Sequence, residues 1–156
     1  MPTGVKASEL EVVNDAVAYG VSIVPADVAV GETFWKVTLV HHLTPTENKG
    51  NHHVYVDVLD EDGDRAYGTQ VLLKWPSGSG IGVIDKPLNE PGTNFPIWKN
   101  QVVEVEVIGK PSDRVVGLHT AHPDEGAGNS LYHHSFLLVY QLAYNDGGGQ
   151  SNQGVI

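Results

Sequence analysis

The sequence predicts an all-β protein, an antiparallel β-sandwich of jelly-roll type with about eight strands. Short valine-rich runs alternate apolar and polar residues, as strands with one solvated face do. Eighteen glycines and nine prolines separate these runs, which is the composition of a turn-rich β protein. No segment has a convincing helical period, and 156 residues suffice for one domain with its own core.

The chain divides into three predicted parts: a strand-like N-terminal region (1–30), a sandwich core (31–144) and a glycine-rich tail (145–156). Within the first part, valine-rich residues 10–24 are interrupted by polar residues and Gly20, which favours one bent strand or two short ones. The tail has the composition of a flexible linker, which frays in an isolated monomer. We expect either residues 6–24 or this tail to pair with or wrap a neighbouring subunit, which would hold it in place.

The first half of the core predicts two strands and a hairpin. Thr33 to His42 is a β-branched and aromatic run typical of a central strand. His52 to Leu59 alternates valines with polar residues, so its valine face should enter the core. Asp60 to Asp64 predicts a hairpin turn, with Asp62-Gly63 supplying the positive φ of a type I′ turn. Ala66 to Trp75 is then the returning strand.

The second half of the core begins with a long excursion from Pro76 to Pro96, punctuated by glycine and proline. Loops of this length inside compact domains are usually functional or cover a sheet. Gln101 to Ile108 alternates valine with glutamate, which indicates an antiparallel strand with one solvated face. Arg114 to His119 is a short strand, and Ser135 to Tyr144 is a continuous apolar strand that is either buried on both faces or runs through the middle of a sheet.

Charge and composition restrict the classes of partner. The formal charge of -10 repels phosphate backbones and anionic membranes, so we expect no nucleic-acid binding. No run approaches the length of a membrane span, and no signal peptide is visible at the N-terminus. The absence of cysteine excludes thiolate metal sites and fits an exported protein. We expect an extracellular or particle-surface location.

Eight histidines, several of them in adjacent pairs, are the most unusual feature of the composition. Imidazole is a common ligand of transition metals, but adjacent histidines on a strand point to opposite faces, so each pair offers one ring to a common centre. Buried, hydrogen-bonded rings that fasten loops are the favoured interpretation. Charging such rings near pH 6 would cost stability, so mild acid is expected to loosen the protein. The alternative transition-metal set is His41, His53, His119 and His122.

Calcium is the other candidate ion. The sequence identifies no cofactor with certainty. Two clusters offer hard oxygen ligands, although neither has the full spacing of an EF-hand loop, and a hairpin turn explains the first adequately. The clusters are Asp60, Asp62 and Asp64, and Asp124, Glu125 and Asn129.

No catalytic set is visible. The chain has no cysteine and no G-x-S-x-G elbow, and Ser135 directly after His134 gives no triad geometry on a strand. The paired glutamates at 104 and 106 lie on an open sheet face, whereas a glycosidase needs two carboxylates across a cleft. We therefore expect a protein that is not an enzyme.

Aromatic residues near the long loop could stack on sugars, because a flat ring covers the apolar face of a pyranose. The candidates are Trp75, Phe95 and Trp98. Burial in the core or an anchoring role in a loop is the commoner fate of such residues.

Four stretches together resemble a family of β-sandwich modules in uncharacterised environmental bacterial and phage proteins, sometimes beside cell-wall or polysaccharide hydrolases. They are H-H-L-T-P-T-E-N-K-G-N-H-H-V-Y-V-D-V-L-D-E-D-G, D-K-P-L-N-E-P-G-T-N-F-P, P-S-D-R-V-V-G-L-H-T and H-P-D-E-G-A-G-N…H-H-S-F-L-L-V-Y-Q. The resemblance spans about Gly31 to Gln141. It implies an accessory, binding or structural module, and it assigns no catalytic residue.

Two functions remain open. In the first, sandwich subunits assemble with copies of themselves into a filament or other polymer, through a strand or terminal segment donated to a neighbour. Contacts of this kind propagate without closing. In the second, the protein is a carbohydrate-binding module that uses aromatics near the 76–96 loop to hold a polysaccharide.

Overall fold

The computed structural model describes residues 4–98, 101–120 and 134–147, and it confirms the β-sandwich. Within these ranges eleven strands form two sheets, and one short helix lies outside them. In chain order they are β1 (Val5–Lys6), β2 (Val13–Asn14), β3 (Ser22–Val24), β4 (Thr33–His42), α1 (Pro45–Asn48), β5 (His53–Leu59), β6 (Gln70–Trp75), β7 (Gly78–Val83), β8 (Thr93–Pro96), β9 (Val103–Val107), β10 (Arg114–Leu118) and β11 (Phe136–Tyr144). Two 3-10 turns, Ala7–Glu9 and Val17–Tyr19, lie between the first three strands.

The first sheet, sheet I, has the order β2-β4-β11-β5-β8, and β1 also pairs with β11. The predicted central position of β11 is confirmed, because it pairs with β4 along one side and β5 along the other. The pairing of β11 with β5 is parallel, as are the short pairings of β1 and β2. Sheet I is therefore mixed, although its longest pairing, between β4 and β11, is antiparallel as predicted.

The second sheet, sheet II, has the order β3-β10-β9-β6-β7 and is antiparallel throughout. Its valines meet those of sheet I as the alternation predicts: Val54, Val56 and Val58 from β5, and Val103, Val105 and Val107 from β9, are all buried. The wholly buried Tyr140 joins the sheets, since its hydroxyl donates to the carbonyl oxygen of Val105 at 3.0 Å.

The predicted hairpin between the fifth and sixth strands is wrong. β5 belongs to sheet I and β6 to sheet II, and only an isolated bridge between Leu59 and Arg65 pairs the segments that flank the turn. Gly63 has a φ of 85°, but Asp62 does not have a positive φ, so the turn is not type I′. Asp60 to Asp64 is thus a turn at a crossover between the sheets, and the sixth strand begins only at Gln70.

The Pro76 to Pro96 segment is not a loop throughout. It contains β7, which forms a hairpin with β6 at the edge of sheet II, and β8, which pairs with β5 at the edge of sheet I. Glycine makes their approach possible: a Cβ at Gly82 would lie 2.6 Å from Oγ1 of Thr93. These two strands, and three from residues 4–30, raise the strand count above the expected eight.

Residues 4–30 share the packing of the sandwich. Ala16 and Val21 belong to the main core, and Ala7 and Ala26 form a second apolar cluster with Phe34 and Ala143 on the other face of sheet I. Residues 10–24 form two short strands that lie in different sheets. No helix in the described ranges is long and apolar enough to cross a membrane.

Candidate functional site

The N-terminal segment, residues 4–10, occupies a docking site on sheet I. β1 runs parallel to the end of β11, with Val5 opposite Ala143 and Lys6 opposite Tyr144. The pairing of β5 with β11 ends at Gln141, so β1 occupies the place beside β11 that β5 leaves open. The segment thus completes sheet I at a position where the longer neighbouring strand has stopped.

Lys36 of β4 fixes this segment through its backbone. The Lys36 side chain is buried, with 2% of the residue exposed, and its ammonium donates to the carbonyl oxygens of Ala7 at 2.6 Å and Leu10 at 3.2 Å. Burial lowers the pKa of Lys36, and the charges of Asp113 and Asp146 oppose that shift. Because both acceptors are main-chain oxygens, Lys36 holds the backbone of the 3-10 turn Ala7–Glu9 and its end at Leu10 rather than a particular side chain.

Asp113 supplies buried negative charge near Lys36. Its carboxylate accepts from the backbone N–H groups of Ala26 at 2.8 Å and Val37 at 3.0 Å. Burial raises the pKa of Asp113, while those two hydrogen bonds and the charge of Lys36 lower it. The carboxylate therefore ties the start of β10 both to β4 and to the chain that follows β3.

Asp146, two residues after the end of β11, also holds the segment. The backbone N–H of Ser8 donates to Oδ1 of Asp146 at 3.2 Å, and the Ser8 hydroxyl donates to Oδ2 of the same carboxylate. This contact is exposed, in contrast to the buried bonds of Lys36. The N-terminal segment is thus held by main-chain contacts inside and one polar contact outside.

His41 links three parts of the chain. Its Nδ1 lies 2.6 Å from Oδ2 of Asp15, and its Nε2 lies 2.9 Å from Oε1 of Glu47 in α1. A ring that donates to two carboxylates is an imidazolium, and the hydrogen bond to Asp15, followed by that to Glu47, raises the pKa of His41 against the effect of burial. The capping box of Thr44 and Glu47 holds the second carboxylate in place.

His42 points to the opposite side of the strand from His41, as alternation requires. Its ring stacks on Tyr19 at 3.8 Å between centroids, and its Nε2 lies 2.7 Å from Nδ1 of His134. His119 joins the same end of the sandwich, where its Nε2 donates to the carbonyl oxygen of Tyr19 at 3.2 Å. These rings fasten the 3-10 turn at Tyr19 to both sheets.

The second histidine pair, His52 and His53, belongs to a row of rings at the start of β5. His52 donates from Nδ1 to the carbonyl oxygen of Ile97 at 2.7 Å, and its ring lies 4.7 Å from that of Trp98. His53 lies 5.2 Å from His52 and stacks at 5.7 Å on Tyr55. Burial, and then the neighbouring His52, lower the pKa of His53.

The predicted metal sets are not assembled in the described part of the chain. His41, His53 and His119 have separate partners, and within the described ranges no group of three or more His, Asp or Glu side chains could hold a metal ion. Oδ1 of Asp60 accepts from the N–H groups of Asp62 and Asp64, so it closes its own turn. The remaining candidates, His122, Asp124, Glu125 and Asn129, lie outside the described residues.

The three sugar-stacking candidates have different surroundings. Trp98 has 59% of its surface exposed. Phe95 is half-buried and packs against the core, where its ring faces Gly82. Trp75 also packs against the core from sheet II and borders a cleft of about 350 Å³ with Val102 and Glu104. Only Trp98 of these three presents a largely open ring.

Sequence reasoning missed Lys36 and Asp113. Lys36 stands inside the run F-W-K-V of a predicted central strand, and a lysine between apolar neighbours in such a strand was the available signal. Asp113 follows Pro111-Ser112 in what reads as an ordinary turn, so nothing local marks its burial.

Comparison with protein-family models finds no match for this chain, and searches of curated proteins and of solved structures likewise find none.

Proposed function

We propose that the protein is a non-catalytic structural subunit that assembles with copies of itself into an extracellular or particle-surface filament or other polymer. Each subunit donates its N-terminal segment to the docking site of the next. The observation that carries the proposal is the pair of hydrogen bonds from buried Lys36 to the carbonyl oxygens of Ala7 and Leu10.

Exchange keeps every contact of the segment, because each copy carries both the same segment and the same docking site. β1 adds main-chain pairing to the end of β11, which is how a donated strand gains affinity without a dedicated pocket. The buried side chain of Ala7 adds apolar contact with the cluster around Phe34. All of these contacts are available to a segment from a second subunit.

The connection between the segment and the sandwich supports exchange as well. Residues 11 and 12 lie between the 3-10 turn and β2 outside any regular element, and Glu11 is exposed. Straightening such a short connection would direct residues 4–10 away from their own sheet. Because the donor and the docking site are different surfaces, the contact is heterologous, and it continues from subunit to subunit wherever the rotation between neighbours does not close a ring.

A substitution at the buried alanine tests this function. Ala7→Arg places a large charged side chain where the residue is wholly buried, so we expect polymers of the full chain to disappear in negative-stain microscopy. Glu9→Arg is the matched control, since the Glu9 side chain is 65% exposed and points to solvent. A wild-type protein that stays a monodisperse monomer at every concentration would contradict the proposal.

Carbohydrate binding is the second candidate function, and the exposed ring of Trp98 favours it. The row from Trp98 through His52 and His53 ends at Tyr55, which also lines a groove of about 270 Å³ with His41 and Leu137. Rings beside a groove that also carries His41 and Glu47 suit a polysaccharide, whose sugars stack by their apolar faces.

A glycan array with the wild type, followed by titration of any hit, tests the second candidate. Trp98→Ala should abolish binding. The control Tyr67→Ala removes a comparably exposed ring from a different part of the surface and should leave binding unchanged. An array without hits would reject the candidate.

A further inference from the structure

In the described part of the chain, β7 is an unprotected edge of sheet II. It is the longest of the described strands that end a sheet, and its sequence, G-S-G-I-G-V, contains neither a charge nor a proline. β8, which ends sheet I, carries Pro96, and β2 and β3 have only two and three residues. Proteins usually block exposed edges with charges, proline or short strands, so β7 lacks the protection that the other edges have.

The hydrogen bonds that flank β7 determine which of its backbone groups are free. The N–H of Ile84 donates to the carbonyl oxygen of Thr69, on the β6 side. Because backbone direction alternates along an antiparallel strand, Gly82, Gly80 and Gly78 also pair with β6. The N–H and C=O groups of Ser79, Ile81 and Val83 therefore point away from the sheet.

The side chains of those three residues lie on the outer surface of sheet II. Ile81 is opposite Leu72, and 58% of its surface is exposed, while Gly80 and Gly82 face the interior. As far as the described residues show, the outward edge thus combines free backbone groups with small or apolar side chains. Another β-strand is the partner that fits both features.

We infer that β7 pairs with β7 of a second copy, antiparallel about a two-fold axis at Ile81. In this register Ile81 faces its own copy, and Ser79 faces Val83 of the second copy on either side. The three residue pairs exchange about six backbone hydrogen bonds, because every outward-pointing group finds a partner. An isologous contact of this kind closes on itself, and it would join two sheets into one.

Local charge permits this pairing despite the net charge of -10. Lys74 lies opposite Ser79 on the outer face, and its ammonium lies 3.3 Å from Glu104 and 3.2 Å from Glu106. The pairing would place Lys74 on the same row as Gln70 of the second copy, so no like charges face each other across it. The second copy is therefore an occupant that this edge accommodates.

The proposal rests on the proposed self-assembling function and adds a second, closed contact to it. The cysteine-free chain allows a direct test with the full-length variants Ile81→Cys and Val30→Cys, both at exposed apolar positions. Facing residues in this register have Cα atoms about 5.5 Å apart, which suits a disulfide. Under mild oxidation, Ile81→Cys should give a covalent dimer at concentrations where Val30→Cys remains monomeric.

A charge at the axis is the complementary test. Ile81→Lys should raise the dissociation constant of the dimer in sedimentation by tenfold or more, while Val30→Lys should leave it unchanged. Equal crosslinking of the two cysteine variants, or an unchanged dissociation constant in Ile81→Lys, would overturn the proposal. Exchange of the N-terminal segment is measured separately by crosslinks between positions 5 and 143, so either contact can fail while the other is observed.

Discussion

The ammonium of Lys36, in the middle of β4, donates to the carbonyl oxygen of Ala7 at 2.6 Å. A buried lysine therefore holds a segment that lies 29 residues away in the sequence. Lys36→Met should leave the carbonyls of Ala7 and Leu10 without their donor, at a cost of about 2 kcal/mol in the free energy of unfolding. Hydrogen exchange should show the loss of protection concentrated in residues 4–10.

Lys74→Met is the control for this change. Lys74 pairs with Glu104 and Glu106 at the surface, with 41% of its side chain exposed, so its loss should cost less than about 1 kcal/mol. Equal costs for the two variants in urea unfolding would show that Lys36 does not anchor the segment.

His41 should stabilise the fold more in mild acid than in base. Its pKa is raised above 6.5, so the folded state binds this proton more tightly than the unfolded chain does. The stabilisation is full below 6.5 and is lost as the pH rises through the raised value. Burial alone would raise the pKa of Asp15, but the hydrogen bonds from His41 and the His42 N–H hold it below 3.8, so its contribution is lost only in stronger acid.

The difference in melting temperature between the wild type and His41→Gln measures this effect. It should be larger at pH 5.5 than at pH 8.5. A difference that is the same at both values would exclude an ionised link from His41 to Asp15 and Glu47.

His53 should have the opposite pH dependence. Its pKa is lowered below 6.5, so the unfolded chain binds the proton more tightly, and stability decreases as the pH falls from 6.5 through the lowered value. His53→Phe keeps the ring beside Tyr55 and cannot be charged. We expect the variant to resist acid better than the wild type between pH 7.5 and 5.5 in thermal unfolding, and an unchanged acid profile would contradict this assignment.

Arg65 should be required for the order of residues 86–90. Its guanidinium holds both carboxylate oxygens of Asp57, at 2.9 and 2.8 Å, and donates to the carbonyl oxygens of Lys86 and Pro87. Because only 5% of the Arg65 side chain is exposed, Arg65→Met should cost about 3 kcal/mol in the free energy of unfolding.

Arg114→Met provides the comparison for Arg65. Arg114 pairs with Glu104 at 3.1 Å with 39% of its side chain exposed, so its loss should cost less than about 1 kcal/mol. Faster hydrogen exchange at residues 86–90 in the Arg65 variant alone would agree with the structure, and equal exchange in both would not.

The local sequence pattern was sufficient where the two-residue period of a strand decides which side chains are buried. The alternation of Val54, Val56 and Val58 with polar residues predicted the buried face of β5, and the apolar run of β11 predicted its central position. Pairing partners were not predictable in the same way. Asp62-Gly63 has the sequence of a hairpin turn, yet the chain passes there from one sheet to the other, because long-range pairing of β5 with β11 takes precedence over local turn preference.

The proposed sites also divide into features that local sequence pattern predicts and features that depend on long-range contacts. Strand alternation places His41 and His42 on opposite sides of β4, as their contacts confirm, so the sequence alone argues against a four-histidine centre. The docking site was not predictable, because Lys36 acts on main-chain atoms of Ala7 and Leu10, and backbone acceptors leave no trace in the residue types. The free edge of β7 required the strand order, since a glycine-rich run reads equally well as a loop.

The most direct test of strand exchange is disulfide formation between two single-cysteine chains, Val5→Cys and Ala143→Cys, mixed under mild oxidation. These positions face each other in the pairing of β1 with β11, and the natural chain has no cysteine. Exchange predicts a covalent dimer that contains one chain of each kind, and a ladder of multimers when one chain carries both substitutions. A double variant that forms only an intramolecular disulfide, with no mixed dimer at any concentration, would contradict the account.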